Sequence, residues 1–292
     1  MANQPLYHGL DRAGLDFNYN NRERVPNHAE IYAAWAPACE AVLADFETRL
    51  DIAYGDHPRE RLDIFLPDAA KHGDGPHPIR IFVHGGYWMS RDKEDSHFIV
   101  RGLVEAGAIV ISVEYALIPS VDMAELVRQC RAAVKWAHDN AASFGGDADR
   151  LYVSGHSAGG HVAAMLLATD WTEWGLPADA VRGGAAVSGI FDLTPMRLCY
   201  INDTINLSGT DVADFSPITL APTAGAETIV CVGAAETDEF VRQSRAFAKA
   251  WGDAEHAVEL LESPGANHFT ILDAYAGGDL CHAMIRQMGL GL

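Results

Sequence analysis

From about residue 49 onward, short runs of apolar and β-branched residues alternate with longer stretches whose apolar residues recur at helical spacing. Runs such as AIVISVEYA (108–116) are apolar throughout, as expected for strands that are buried on both faces. Strands that alternate with helices usually pair in parallel and carry helices on both faces of the sheet. The alternation therefore predicts an α/β fold with a mostly parallel central sheet of about eight strands.

Eight runs are assigned to strands and four stretches to helices. The strands are LDIAYG (50–55), RLDIFLP (61–67), IRIFVHG (79–85), AIVISVEYA (108–116), LYVSGHS (151–157), GGAAVSG (183–189), ETIVCVGA (227–234) and AVELLESPG (257–265). The helices are 96–107, 123–145, 158–171 and 238–252. Only DHPRE separates the first two strands, so we expect them to pair through a short turn.

Two segments do not follow the alternation. Residues 1–48 precede the sheet, and we expect an irregular stretch followed by a helix in this N-terminal extension. Residues 190–222 are rich in turn residues and follow a strand, at the sheet edge where α/β proteins bind their ligands. We expect this insertion to form a small cap. The 292 residues, 49% of them hydrophobic, otherwise suit one domain over 1–292.

The sequence GHSAGG (155–160) lies where the strand 151–157 meets the helix 158–171. It fits the G-x-S-x-G pattern, in which a sharp strand-to-helix turn exposes a serine and needs glycine two residues to either side. The start of the following helix adds free N–H donors and a positive dipole. Ser157 is therefore the candidate nucleophile.

A serine hydroxyl attacks only when a nearby histidine takes its proton, and a carboxylate orients that histidine. After this kind of turn, the chain order is serine, acid, histidine. Three histidines follow the helix: His256 precedes the last strand, His282 lies in the C-terminal region, and His268 follows the last strand at the required edge. His268 is the predicted base.

The acid is expected after the strand 227–234, in GAAETDEF (233–240). Spacing from the end of the strand favours Glu236, while Asp238 could instead cap the helix that begins there. Asp238 therefore remains the alternative acid, and Glu239 is a third carboxylate in the same turn.

The oxyanion of an acyl-transfer intermediate needs backbone N–H donors. One is expected from Ala158, directly after the nucleophile, and another from the loop HGGYW (84–88) after the third strand. Gly85 and Gly86 carry no Cβ, so the backbone there could approach the substrate. His156 and His161 flank Ser157 without a third ligand nearby, which favours a packing or supporting role over metal binding.

Charge and cysteine content exclude several kinds of partner. The formal net charge of −19 argues against nucleic acid and anionic membranes. No apolar run approaches the length that spans a bilayer, and no signal peptide is recognisable in the first residues. Five scattered cysteines without a CxxC pair suit reduced thiols, and hence a cytoplasmic protein. We expect a small-molecule substrate and no cofactor, and a homodimer is compatible with the sequence.

Several stretches together resemble the kynurenine formamidase (arylformamidase) branch of the α/β-hydrolases. They are YNNRERVPNH (19–28), HGGYW (84–88), EYALIP (114–119), GHSAGG (155–160) and EFVRQS (239–244), and the likeness covers most of the chain. The resemblance implies an α/β-hydrolase fold and metal-independent hydrolysis of N-formylkynurenine to kynurenine and formate. HGG and GxSxG are shared with many esterases, so they say little about the substrate.

Carried over by position, the resemblance implies Ser157 as nucleophile, His268 as base, and Gly85, Gly86 and Ala158 as oxyanion donors. The position of the family's usual aspartate holds Glu236 here, which keeps Asp238 in consideration.

The aromatic residues of the HGGYW loop suit an aryl substrate. Tyr87 and Trp88 could pack on its ring, with Tyr200 or Phe191 closing over it from the cap. Trp88 could equally pack the loop against the N-terminal segment. Arg24 or Arg91 could pair with a substrate carboxylate or remain solvated.

Three other functions fit the same residues less closely. A carboxylesterase of small acyl or aryl esters would use the same serine, acid and histidine, and is the alternative reading. A ligand receptor on this fold usually lacks a member of that trio, and a thioesterase for acyl-CoA would need a basic patch that this acidic chain does not show.

Overall fold

In the computed structural model, which describes residues 4–223 and 225–291, eight strands form one sheet. In chain order they are β1 (Glu47–Ala53), β2 (Arg61–Leu66), β3 (His77–Val83), β4 (Ile109–Val113), β5 (Gly146–His156), β6 (Val181–Val187), β7 (Glu227–Gly233) and β8 (Val258–Ser263). Their order across the sheet is β1-β2-β4-β3-β5-β6-β7-β8. β2 pairs antiparallel with β1 and β4, and all later pairs are parallel. The predicted fold class is confirmed.

Thirteen α-helices occur in the described part of the chain, and the longer ones cover the two faces of the sheet. They are α1 (Arg12–Tyr19), α2 (Asn21–Arg24), α3 (His28–Asp45), α4 (Ala69–His72), α5 (Arg101–Glu105), α6 (Met123–Asn140), α7 (Ala158–Leu167), α8 (Thr194–Leu198), α9 (Asn202–Ile205), α10 (Gly209–Asp214), α11 (Asp238–Asp253), α12 (Ile271–Gly277) and α13 (Asp279–Gln287). Four 3₁₀ helices span Lys93–Val100, Ala141–Phe144, Trp171–Trp174 and Pro217–Thr219.

Side chains of the central strands contribute to two hydrophobic layers, one on each face of the sheet. In β4 every residue is buried, with Ile109 and Ile111 in one layer and Val110 in the other. This is the consequence of the two-residue period of a strand, which sends successive side chains to opposite faces. It also explains why the strand sequences are continuously apolar.

The helix that follows the GHSAGG turn is unusual in that all ten residues of α7 are buried. It packs against β5 and β6, and α6 lies beside it. Because this helix has no solvent-facing side, its sequence AGGHVAAMLL carries no charged residue.

The N-terminal segment is more regular than predicted. The irregular stretch expected before one helix contains α1 and α2, and β1 begins at Glu47, inside the predicted extension. The Asp11 carboxylate accepts a hydrogen bond from the Gly14 N–H at the start of α1, and the Asn20 side chain does the same for Glu23 at α2. Asp11 and Asn20, in the stretch predicted to be irregular, are therefore N-caps.

Two predicted helices also differ in detail. The stretch 96–107 is a 3₁₀ helix that begins earlier, at Lys93, followed by α5, because Ser96 has a non-helical conformation with φ −132°. The stretch 123–145 is helical as α6 to Asn140, then narrows to a 3₁₀ turn that ends at Gly145 with φ +77°. Among residues 4–223 and 225–291, no helix is both long enough and apolar enough to cross a membrane.

Candidate active site

Ser157 lies on the sharp turn between β5 and α7, with φ +59° and ψ −120°. Its two neighbouring glycines are required by the backbone itself. A Cβ on Gly155 would lie 2.1 Å from the carbonyl oxygen of Gly159, and a Cβ on Gly159 would lie 2.0 Å from that of Val83. The G-x-S-x-G spacing thus permits a close backbone approach that holds the serine in a strained conformation.

A chain of hydrogen bonds joins Ser157 to His268 and Glu236. The Nε2 atom of His268 lies 2.9 Å from Oγ of Ser157, and its Nδ1 atom lies 2.6 Å from Oε2 of Glu236. Since an ionised carboxylate only accepts, Nδ1 carries the hydrogen and Nε2 is free to accept from the serine hydroxyl. Ser157 and His268 are buried, and the Glu236 side chain has no exposed surface.

The other oxygen of Glu236 is also occupied. Its Oε1 atom accepts hydrogen bonds from the Ser188 hydroxyl and, at 2.8 Å, from the backbone N–H of Gly233. Ser188 follows β6 with φ +48°, and its N–H donates to the Cys231 carbonyl oxygen. Sequence reasoning missed Ser188, whose only signal is a polar residue at the carboxyl end of the strand beside β7.

The three carboxylates of the turn after β7 occupy different places. The Glu236 N–H donates to the Gly233 carbonyl oxygen, a tight turn that brings the Glu236 side chain beneath His268. Asp238 is exposed at the first residue of α11. Glu239 is buried in a bidentate ion pair with Arg242. The structure therefore brings Glu236, and not Asp238, to the histidine.

The other candidate histidines lie away from Ser157. His256 precedes β8 and His282 is exposed on α13, as the sequence suggested for both.

Gly85 and Gly86 line a cavity beside Ser157, and the surrounding backbone leaves no room for a side chain at either position. A Cβ on Gly85 would lie 2.9 Å from the His156 carbonyl oxygen and 3.0 Å from Cβ of Ser157. Gly86 has φ +113°, and its Cβ would lie 2.1 Å from the Ser90 carbonyl oxygen. The protein's own backbone therefore requires both glycines. Ala158 is the first residue of α7, where an N–H has no carbonyl partner within the helix.

His84 connects this loop to a buried carboxylate. Its Nδ1 atom lies 2.8 Å from the Gly85 carbonyl oxygen and its Nε2 atom 3.1 Å from Oε1 of Glu114. Burial alone would raise the pKa of Glu114, but hydrogen bonds from His84 and the Lys93 N–H, with the nearby Arg59 guanidinium, hold that pKa below its usual value. Glu114 belongs to the EYALIP stretch, whose role the sequence did not reveal.

His156 and His161 are both hydrogen-bonded to other groups of the protein, as expected for a packing or supporting role rather than metal binding. His156 donates from Nε2 to the backbone carbonyl oxygen of His268, at 2.8 Å. His161 donates from Nε2 to the Phe215 carbonyl oxygen and accepts at Nδ1 from the Trp88 indole. Burial lowers the pKa of His161 to about 4, and burial together with the nearby His268 lowers the pKa of His156 well below its usual value. Both rings are therefore neutral.

A cavity of about 390 Å³ opens above Ser157 and His268. Its aromatic lining residues are Tyr32, Trp35, Phe82, Tyr87, Tyr200 and Phe269. Its charged lining residues are Arg22, Arg91, Asp92 and Asp95. The N-terminal helices supply part of this wall, which the sequence did not predict.

Trp88 does not line the cavity, so of the two roles predicted for it, contact with substrate is wrong and a packing role remains. The side chain is completely buried, and its Nε1 donates to Nδ1 of His161 at 3.2 Å. Tyr87 and Trp88 both have positive φ, +50° and +59°, and their ring planes are inclined by 62° with centroids 6.5 Å apart. Tyr87 lines the cavity, and its hydroxyl donates to the Tyr19 carbonyl oxygen.

The structure also distinguishes between the residues that were predicted as alternatives for contacting the substrate, Tyr200 or Phe191 and Arg91 or Arg24. Tyr200 lies at the cavity wall, whereas Phe191 is buried and stacks on Phe247 with ring centroids 4.0 Å apart. Arg91 lines the cavity, and its guanidinium lies over the Tyr32 ring, 3.6 Å from the centroid. Arg24 lies instead over Phe17, outside this cavity.

Comparison with known proteins places this arrangement in a class. A family model described as BD-FAE matches residues 62–180, and the Carboxylesterase family model matches residues 128–249. A solved structure from Silicibacter sp. TM1040, provisionally described as a thioesterase, is 28% identical, with a TM-score of 0.78 over 91% of this chain and 95% of that one. The fold and these matches define an α/β-hydrolase.

Two curated relatives are more specific. Kynurenine formamidase from Salmo salar is 32% identical over 251 residues, which cover 83% of either protein. Kynurenine formamidase from Danio rerio is 33% identical over 232 residues, 78% of this chain and 76% of that protein. The chain is a hydrolase that belongs to the kynurenine formamidase family.

Proposed function

We propose that this protein hydrolyses an aryl formamide such as N-formylkynurenine, releasing the arylamine and formate. The observation that carries the proposal is the hydrogen-bonded chain from Ser157 through His268 to Glu236, set in the wall of an aromatic cavity. Its membership of the kynurenine formamidase family supports the choice of substrate.

In the first half of the reaction, His268 takes the hydroxyl proton of Ser157 at Nε2 while Oγ attacks the formyl carbon. Glu236 stabilises the imidazolium through the Nδ1–H contact of 2.6 Å. When the tetrahedral intermediate collapses, the C–N bond breaks and His268 returns the proton to the departing arylamine nitrogen. The formyl group then remains as an ester on Ser157.

In the second half, water replaces the arylamine. His268 accepts a proton from that water, the resulting hydroxide attacks the formyl ester, and the C–O bond to Ser157 breaks. The serine recovers its proton from His268, and formate leaves. Ser157 thus changes from nucleophile to leaving group, while His268 accepts and then returns a proton in each half of the reaction.

The developing oxyanion in both steps needs donors beside Ser157. We assign this role to the backbone N–H groups of Gly85, Gly86 and Ala158, two in the loop against the serine and one at the start of α7. The positive end of the α7 dipole points to the same place, which favours negative charge there.

The cavity wall suits an aryl group that carries a carboxylate. Tyr87 and Tyr200 offer ring faces or edges, and Arg91 offers a guanidinium whose position is restrained by Tyr32 and by Asp95, 3.2 Å away. A volume of about 390 Å³ lies within the usual range for small-molecule sites.

We further propose one catalytic domain in which residues 190–222 act as a small cap and residues 1–48 as an extension. Tyr200 from the first segment and Tyr32 from the second both line the cavity, which supports these roles. The five free, buried cysteines are consistent with a cytoplasmic location. A homodimer stays a prediction that sedimentation would test.

The deciding experiment compares kcat/KM on N-formylkynurenine and on p-nitrophenyl acetate for the wild-type protein and Ser157→Ala. We expect efficient cleavage of the formamide and loss of both activities in the variant. Ester cleavage with no detectable formamide cleavage would overturn the proposed substrate. Full activity of Ser157→Ala would overturn the mechanism.

A small-ester carboxylesterase is the second candidate, because the Carboxylesterase family model matches residues 128–249, which include Ser157 and Glu236. Esters are easier substrates for the same machinery, so the ratio of the two kcat/KM values, rather than ester activity alone, separates the two functions.

A further inference from the structure

The residue just before the candidate nucleophile contacts the backbone of the candidate base. The Nε2 atom of His156 lies 2.8 Å from the backbone carbonyl oxygen of His268, and both side chains are buried. We propose that His156 is a positioning residue, which holds the His268 main chain so that the imidazole stays in register with Ser157. The proposal rests on the proposed roles of Ser157 and His268.

Two adjacent residues therefore contact His268, one at its side chain and the other at its backbone. Ser157 contacts the imidazole at Nε2, 2.9 Å away, and His156 contacts the carbonyl of the same residue. The two imidazole rings are close, with centroids 4.8 Å apart and planes tilted by 45°. Since His156 and Ser157 lie on the same rigid turn, any movement of the His268 loop relative to the serine must stretch the His156 contact.

The rest of the His268 loop is held at other atoms. Asn267 accepts hydrogen bonds at Oδ1 from the N–H groups of Phe269 and Thr270. The Ala266 N–H donates to the Ser263 carbonyl oxygen. In the part of the chain that the structure describes, the hydrogen bond to the His268 carbonyl comes from His156. Removing this donor would leave a buried carbonyl without its partner and the loop without that tether.

The chemistry of His156 suits a positioning role rather than proton transfer. Its Nε2 faces a carbonyl oxygen, which can only accept, so this nitrogen carries the hydrogen. Burial and the proximity of His268 lower the pKa of His156 well below its usual value, so the ring stays neutral when His268 becomes protonated. A neutral donor at this position adds no repulsion to the imidazolium.

The test compares His156→Leu, which cannot donate, with His156→Gln, whose amide N–H can reach the position of Nε2. Displacing a catalytic group by a fraction of an ångström to 1 Å costs up to about 100-fold in rate. We expect His156→Leu to lower kcat by about 10- to 100-fold with KM nearly unchanged, and His156→Gln to recover most of that loss. The NMR signal of the His268 Nδ1–H should broaden or shift in His156→Leu and return in His156→Gln.

His161→Leu is the matched control. His161 is a buried, neutral histidine that also donates from Nε2 to a backbone carbonyl oxygen at 2.8 Å, but its acceptor is Phe215. The His161→Leu variant should lose about as much stability as His156→Leu, while its kcat should fall much less. Equal losses of kcat in the two variants, or a failure of His156→Gln to exceed His156→Leu at equal melting temperature, would overturn the proposal.

Labelling Ser157 with a fluorophosphonate gives a readout that does not depend on the substrate. The labelling rate should fall in His156→Leu and recover in His156→Gln, whichever of formamide or ester the enzyme prefers. If the wild-type protein is not labelled at Ser157, the proposed nucleophile is wrong. If it is labelled and His156→Leu, still folded, reacts at the wild-type rate, the role of His156 is wrong.

Discussion

The Nδ1 atom of His268 lies 2.6 Å from Oε2 of Glu236, at the position where the resemblance in the sequence implied an aspartate. The extra methylene of glutamate is accommodated because the Glu236 N–H closes a tight turn onto the Gly233 carbonyl oxygen. The same turn lets Oε1 accept from Ser188 and from the Gly233 N–H. The longer side chain therefore still contacts the imidazole of His268 while its other oxygen stays hydrogen-bonded.

Removing that carboxylate should cost most of the activity. We expect Glu236→Ala to lower kcat by about 10³- to 10⁴-fold, as for the acid of well-characterised serine proteases, because the imidazole loses both its tautomer and its orientation. The kcat of Glu236→Asp should lie between those of the wild type and Glu236→Ala, since a shorter side chain cannot both reach His268 and keep its contact with Ser188. Asp238→Ala is the control and should stay within about twofold of wild type, because that side chain is exposed at the start of α11. The reverse ranking in kcat/KM would assign the acid to Asp238.

Gly86→Ala tests the loop that is proposed to bind the oxyanion. The new methyl group would lie 2.1 Å from the Ser90 carbonyl oxygen at a φ of +113°, so the loop must move. Losing one oxyanion donor costs about 3 kcal/mol, and we expect kcat to fall about 10²- to 10³-fold. Gly252→Ala in α11 is the control, since its methyl group would meet no atom within 4 Å. Near-wild-type kcat in Gly86→Ala would exclude this loop from the chemistry.

Trp88 and Tyr87 should respond differently to the loss of their polar atoms. Trp88→Phe removes the hydrogen bond to His161, so we expect a loss of about 1–2 kcal/mol in the free energy of unfolding and little change in KM. Tyr87→Phe removes hydrogen bonds with Tyr19 and Asn21 at the cavity wall, so KM should rise. Chemical denaturation and steady-state kinetics on the two variants separate these effects. A raised KM in Trp88→Phe at unchanged stability would restore its predicted contact with substrate.

The contrast between these neighbours shows what the sequence could and could not predict. Alternating apolar runs predicted the sheet because burial on both faces leaves a continuous signal in each strand. GHSAGG predicted the turn because only glycine permits the backbone approach at Gly155 and Gly159. The burial of Trp88 could not be predicted in the same way, because its backbone has a positive φ and tryptophan gives no sign of this conformation in a sequence.

Local sequence patterns likewise do not predict contacts between parts of the chain that are distant in sequence. Tyr32 reaches the cavity from α3, and Ser188 reaches Glu236 from the end of β6. Each depends on the packing of whole elements rather than on neighbouring residues. His268 could be singled out because chain order and the sheet edge restrict the position of a histidine beside Ser157 more strongly than they restrict supporting residues, and its Nε2 lies 2.9 Å from Oγ of Ser157.

Arg91 is the residue to change in order to test recognition of a substrate carboxylate. Its guanidinium lies over Tyr32 at the cavity wall, and Arg91→Met keeps much of the stem without the charge. We expect KM for N-formylkynurenine to rise about tenfold, consistent with the loss of a partly exposed charged hydrogen bond. Formanilide, which has no carboxylate, should be cleaved as before. Arg24→Met is the control, because Arg24 lies outside this cavity. Equal effects of Arg91→Met on both substrates would argue against carboxylate binding.

The buried histidines beside Ser157 should make the protein sensitive to acid. Burial lowers the pKa of His161 to about 4 and that of His156 well below its usual value. An unfolded histidine titrates near pH 6.5, so between about pH 6.5 and about pH 4 the unfolded chain binds more protons than the folded one. Stability is therefore complete above about pH 6.5 and falls as the pH decreases, by up to about 1.4 kcal/mol per pH unit for each histidine.

Urea denaturation at a series of pH values between about 7 and about 5 measures this loss directly. His161→Gln cannot take up a proton, so its free energy of unfolding, although lower at neutral pH, should decline less steeply across the same window. A free energy of unfolding that stays constant over this range in the wild-type protein would contradict the neutral state of the two buried rings.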